Sequence, residues 1–169
     1  MDTTTNPSKV NVEEQLTSLF LDRYRELLEG MPDSDPTWVT SGGREGGVYG
    51  TLGDLTAEEA SRVVAGTTIA AHAEHLRWAI DMVNAYFAGK EPPSDWSESW
   101  LVKRVDETAW VALNQAIRRA GDTLLAALPV HHSWHEGFAV NGALASYGHA
   151  AYHLGALRQL KKVVRGAPL

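Results

Sequence analysis

The sequence predicts an all-α protein, a four-helix bundle with long connections, on three observations. Apolar residues recur in steps of three and four along four separate segments, the period of a helix with one buried face. Capping boxes open the first two segments, and glycine or proline closes the first three. No stretch alternates apolar and polar residues over the length of a strand, and no internal repeat or low-complexity tract interrupts the pattern.

The first helix opens at Asn11, which with Glu14 three residues on reads as a capping box. Val12, Leu16, Leu19, Phe20, Leu27 and Leu28 follow at helical spacing until Gly30 and Pro32. Residues 31–55, with Pro32, Pro36 and the run Ser41-Gly42-Gly43-Arg44-Glu45-Gly46-Gly47, read as a long mobile loop. A phosphate cradle would need a following Gly-Lys-Ser/Thr that opens a helix, and none is present. A second capping box, Thr56-Ala57-Glu58-Glu59, opens a pattern that reaches Gly89 ahead of Pro92-Pro93. That predicts one helix of roughly 30 residues, about 45 Å long. The third begins near Asp106 and stops at Pro129, with Trp110, Leu113, Ile117, Ala120, Leu124 and Leu128 on its apolar face. The fourth spans 140–165.

Composition narrows the function. The 169 residues have the length of one domain, residues 1–169, and a domain of that size buries about 68–70% of the surface of its extended chain. Fifteen basic against twenty-one acidic residues leave a net charge of −6, with no basic run longer than Lys161-Lys162. That leaves no electrostatic footprint for nucleic acid or anionic lipid. No cysteine is present, so any metal must be held by histidine and carboxylate, and a thiol taking part in the chemistry must come from outside the chain. The polar segment from Met1 to Lys9 has no signal-peptide core, and no window is long and apolar enough to span a bilayer. A soluble, cytoplasmic protein is expected, with neither a nucleic-acid nor a membrane partner.

The chemistry concentrates in Tyr147-Gly148-His149-Ala150-Ala151-Tyr152-His153-Leu154-Gly155. Histidines four residues apart on a helix leave the same face, within reach of one ion. Steps of three and four from them give Gly142, Ala145, His149, His153, Ala156, Leu160 and Val163, a seam of small and apolar side chains, so both rings are expected to point inward. Buried imidazoles either find hydrogen-bond partners or share an ion. Position 150 is alanine where a zinc protease has glutamate, which argues against that chemistry. A catalytic zinc wants three protein ligands, and the second helix offers His72 and His75. One seam there runs Ile69, His72, Leu76, Ala79, Val83, Tyr86 and another Thr68, His72, His75, Ala79, Met82, Tyr86. His72 lies on both and His75 on the flank, so the expected ligand set is His72, His149 and His153. A core histidine satisfied by a carbonyl or a tyrosine hydroxyl is the alternative for His72 taken alone.

The run from Gly148 to Leu160, with His-x3-His-x-Gly followed by Arg158-Gln159, resembles the last-helix signature of the DinB-like superfamily. Asp95-Trp96-Ser97-Glu98-Ser99-Trp100 with Asp106-Glu107-Thr108-Ala109-Trp110 resembles its segment leading into the third helix, and Ile69-Ala70-Ala71-His72 its second-helix histidine. The resemblance covers nearly the whole chain and is least at 41–50 and 130–138. It implies a four-helix bundle with a divalent ion, zinc or nickel, on three histidines, matched here by His72, His149 and His153. Relatives of this kind include thiol-dependent S-transferases and isomerases, and dimers are common, so a homodimer stays open.

A three-histidine ion with an open position lowers the pKa of a bound water to about 7 or turns a bound thiol into thiolate. The expectation is therefore a metal-dependent hydrolase or S-transferase acting on a small-molecule substrate, with water or a low-molecular-weight thiol as the nucleophile. The alternative is a non-catalytic metal-binding or stress-response module with a structural ion. Tyr152, Glu74 and Arg158 are secondary candidates that read equally as surface groups. His131, His132, Trp134 and His135 read as an exposed loop, with a lid or second metal site as the alternative. Trp96, Trp100 and Trp110 read as packing anchors, and Trp38 as a lid over a substrate or a plug for the bundle mouth.

Overall fold

Asn11 Oδ1 accepts the N–H groups of Glu13 and Glu14, and helix α1 (Val12–Glu29) starts from that cap. The computed structural model describes residues 11–92, 94–131 and 137–166. Within them follow α2 (Val48–Gly53), α3 (Ala57–Ser61), α4 (Ile69–Phe87), α5 (Glu107–His131) and α6 (Gly137–Val164), with short 3-10 turns at Gly43–Gly46 and Glu98–Trp100. The four long helices α1, α4, α5 and α6 make the expected all-α bundle. α4 packs against both α5 and α6, and α1 against the same two, so α1 and α4 lie across the bundle from each other. No described helix is long and apolar enough to cross a membrane.

The segment 31–55 is more ordered than a mobile loop. Glu26, fully buried at the end of α1, accepts the N–H groups of Trp38, Val39 and Thr40 on one carboxylate oxygen and pairs through the other with Arg23 at 2.6 Å. Burial pushes this carboxyl up, yet the backbone donors and Arg23 outweigh it and hold the group below its ordinary range. The glycines that follow serve close approach: a Cβ on Gly47 would overlap the backbone N of Gly30, and one on Gly50 the carbonyl of Arg44. The chain can therefore fold back on α1, and α2 delivers Val48, Tyr49 and Leu52 into the core.

The single long second helix is corrected to two. The capping box at Thr56 is formed, with Glu59 N–H on Thr56 Oγ1 and Thr56 N–H on Glu59, but α3 lasts five residues. Ala65 and Gly66 take positive φ (48° and 83°), a Val64–Thr67 bridge closes the reversal, and Thr68 caps α4 by accepting from Ala71 N–H. Gly66-Thr67-Thr68 is a break followed by an N-cap, and it divides the pattern that begins at Thr56. α5 likewise does not stop at Pro129 but runs to His131. Proline acts on the carbonyl four residues before it, here that of Leu125, so at this position it disturbs only the last turn and the helix can run two residues past it.

The inward face of α6 is also turned from the expected seam. Its buried residues are Ala143, Ala150, His153, Leu154, Leu157, Leu160 and Val164, whereas Gly142, Ala145 and Val163 are exposed. His153 sits at the centre of the packed face, and His149 at its edge.

Candidate metal centre

Because α4 packs along α6, its histidines meet those of α6. His72 and His75 are both buried, and His153 is 1% exposed. The ring centroids of His149 and His153, one turn apart on α6, are separated by 4.5 Å. His75 lies 5.1 Å from the ring of His149 and 4.8 Å from that of His153. One ring nitrogen from each of His75, His149 and His153 can be chosen so that all lie within 4.8 Å of one another. Ligand nitrogens around a tetrahedral zinc stand roughly 3.3 Å apart at bond lengths of ~2.0–2.1 Å, so a small convergence of the rings suffices. The structure thus brings together the two expected histidines of α6 with His75 of α4. His72 stands beside them, its Nδ1 3.0 Å from Nδ1 of His153.

Two tryptophans wall the cluster. Trp100 stacks on His75 at 4.1 Å and 20° and meets His72 edge-on at 5.2 Å. Trp96 approaches His75 at 5.7 Å and His149 at 6.0 Å. They come from the turn before α5, which packs on α4. Trp110, in contrast, is a packing anchor as expected, buried with its Nε1–H on the Leu55 carbonyl. The missed residue is Ser99, fully buried between the two tryptophans. Its hydroxyl lies 2.6 Å from the Trp96 carbonyl and 2.6 Å from His75 Nδ1. A hydroxyl has one proton, and a carbonyl can only accept. Ser99 therefore donates to Trp96 and accepts from His75 Nδ1–H, which leaves a lone pair on His75 Nε2.

His72 and His153 obey a similar rule, since one Nδ1 must donate and the other accept. If His153 donates to His72, its Nε2 carries the free lone pair. Burial lowers the pKa of all four rings: His75 falls to about 4, with help from the neighbouring His149 and His72, and His153 to about 3, helped by His149, His75 and His72. Neutral imidazoles are the form that ligates metal. His149 Nε2 is buried and makes no hydrogen bond. A buried polar atom without a partner needs an explanation, and a shared ion supplies one, so the residues present fit a divalent metal.

Beyond His149 lies an open cavity of about 610 Å³, lined by residues of α4, α5 and α6 with Tyr24 of α1. The other sequence candidates fall elsewhere. Tyr152 is exposed with its edge on His153, Glu74 is paired with Arg77, and Arg158 donates to Ser41. Trp38 is 77% exposed with Arg23 over its ring and lines neither this cavity nor the smaller one by Arg158. His132, Trp134 and His135 lie outside the described residues.

Fold and site together define a class: an all-α bundle with a histidine cluster between facing helices, suited to a metal ion. A sequence model of the DinB superfamily matches residues 17–157, and the chain belongs to that superfamily. No curated protein and no solved structure matches it.

Proposed function

We propose that the protein is a metal-dependent enzyme whose divalent ion, zinc or nickel, activates water or a low-molecular-weight thiol against a small electrophile. The observation that carries this reading is the partnerless, buried Nε2 of His149, a residue that belongs to the His75–His149–His153 group and lines a cavity. When bound, the ion supplies Lewis acidity and lowers the pKa of the nucleophile. His75, His149 and His153 are the proposed ligands. Ser99 holds the His75 tautomer, and His72, expected from sequence as the third ligand, accepts from His153 and orients it. The tryptophan walls exclude water from the ligand rings. A structural ion would have no use for a ligand facing an open cavity. A cytoplasmic location and a homodimer belong to the same reading and rest on sequence and family resemblance.

Elemental analysis of the purified protein and four variants tests the assignment. One equivalent of a divalent metal is expected, lost in His75→Ala, His149→Ala and His153→Ala and kept, with weaker retention, in His72→Ala. Unchanged metal in His149→Ala overturns the metal site. Loss in His72→Ala with retention in His75→Ala exchanges their roles.

A further inference from the structure

The cavity next to His149 says what kind of molecule fits. Its walls are Leu76, Ile80, Val83, Phe87, Leu124 and Leu128 from α4 and α5, and among the described residues none that lines it is Asp, Glu, Lys or Arg. A charged body placed there would lose its hydration with no counter-charge in return. The polar groups gather on the α6 side, where Ser146 precedes His149 by three residues, hence on the same face. Tyr24, 1% exposed, reaches in from α1 with its hydroxyl 2.9 Å from Ser146 Oγ. Tyr86 and Trp96, 55% and 41% exposed, and Gly142 and Ala145 of α6 are lining residues on the surface, and they mark where the cavity meets solvent. A volume of about 610 Å³ is far larger than the voids of a packed interior and lies in the range of small-molecule sites.

We infer that the substrate is an uncharged, largely hydrocarbon molecule, its body filling this cavity and its single polar reacting group lying against His149. The inference rests on the proposed metal site and adds the substrate class to it. Ser146 and Tyr24 flank the reacting end and can hydrogen-bond a carbonyl or hydroxyl oxygen next to it. A charge on the body of the substrate is disfavoured by these walls, since only the proposed ion beside His149 would offer an anionic group a counter-charge.

Gly142 gives a clean test. It lines the cavity on its exposed α6 side, and a Cβ built there meets nothing within 4 Å, so a larger side chain has room to cover that side. Binding of the neutral fluorophore N-phenyl-1-naphthylamine and of its sulfonated analogue 8-anilinonaphthalene-1-sulfonate is measured on wild type, Gly142→Leu and His149→Ala, with metal content and thermal unfolding measured alongside. Saturable 1:1 binding of the neutral probe is expected, at least tenfold tighter than that of the sulfonate. Gly142→Leu should weaken it at least tenfold with metal content and Tm retained, and His149→Ala should lose metal while still binding the probe. Equal affinity for the two probes, or an unaffected Gly142→Leu, overturns the inference and leaves the metal site standing. Probe binding as expected in a protein that never holds metal overturns the enzyme reading and leaves the apolar site.

Discussion

At the scale of single residues, Ser99 has the most specific consequence. Its one proton is committed to the Trp96 carbonyl, so it fixes which nitrogen of His75 keeps a lone pair. Ser99→Ala frees His75 Nδ1 to take either tautomer, and metal affinity is expected to fall about 10–100-fold. Competition against a chelating dye measures that, with far-UV circular dichroism showing an unchanged fold; equal affinity in the variant refutes the positioning role. Ser99 gave no sign of this in the sequence, because a serine between two tryptophans has no periodic signature. His149 and His153 were legible, since a four-residue step on a helix puts them on one face whatever surrounds them.

At the scale of elements, glycines with opposite surroundings separate propensity from packing. Gly121 of α5 faces α2 so closely that an added Cβ would overlap the Tyr49 hydroxyl and come within 3.0 Å of Leu28 Cδ1. Gly142 of α6 faces open space. Alanine in a helix interior is favoured over glycine by about 1 kcal/mol, so Gly142→Ala is expected to raise stability by up to about that amount. Gly121→Ala should lower it by about 1–3 kcal/mol as α2 is pushed off α5. Urea unfolding of both variants checks the pair, and a stabilised Gly121→Ala would mean that α2 does not dock as described. The same contrast explains the errors in reading elements. Capping at Asn11 and Thr56 is local chemistry and was legible, and the start expected near Asp106 is a cap as well, with Ala109 N–H on Asp106 at 2.8 Å. The length of a helix after its cap depends on breaks, and Gly66 followed by Thr68 divided a pattern whose apolar period continues on both sides.

At the scale of the whole molecule, the core is built from leucine, isoleucine, alanine and aromatic side chains of all the long helices, well beyond the reach of the histidine cluster. Removing metal with a chelator should therefore leave a folded, helical protein, with Tm lowered by about 5–10 °C for an ion previously held at ~100 times its Kd. Calorimetry with and without chelator measures this, and loss of cooperative unfolding on metal removal would make the ion structural and sink the enzyme reading. The sequence by itself determined the helical class, the capped starts, the α6 histidine pair and the family resemblance, because each depends on neighbours within a turn or two of the chain. Tertiary structure alone decided that His75 joins that pair with His72 behind His153, that Trp96, Ser99 and Trp100 surround them, and that an uncharged cavity opens beside His149. The physical reason is rotation: residues three apart on a helix differ by about 60° around its axis, so both α4 histidines belong to its buried face. Both meet α6, and which of them groups with His149 and His153 while the other backs His153 is set by how the two helices pack, which no periodicity records.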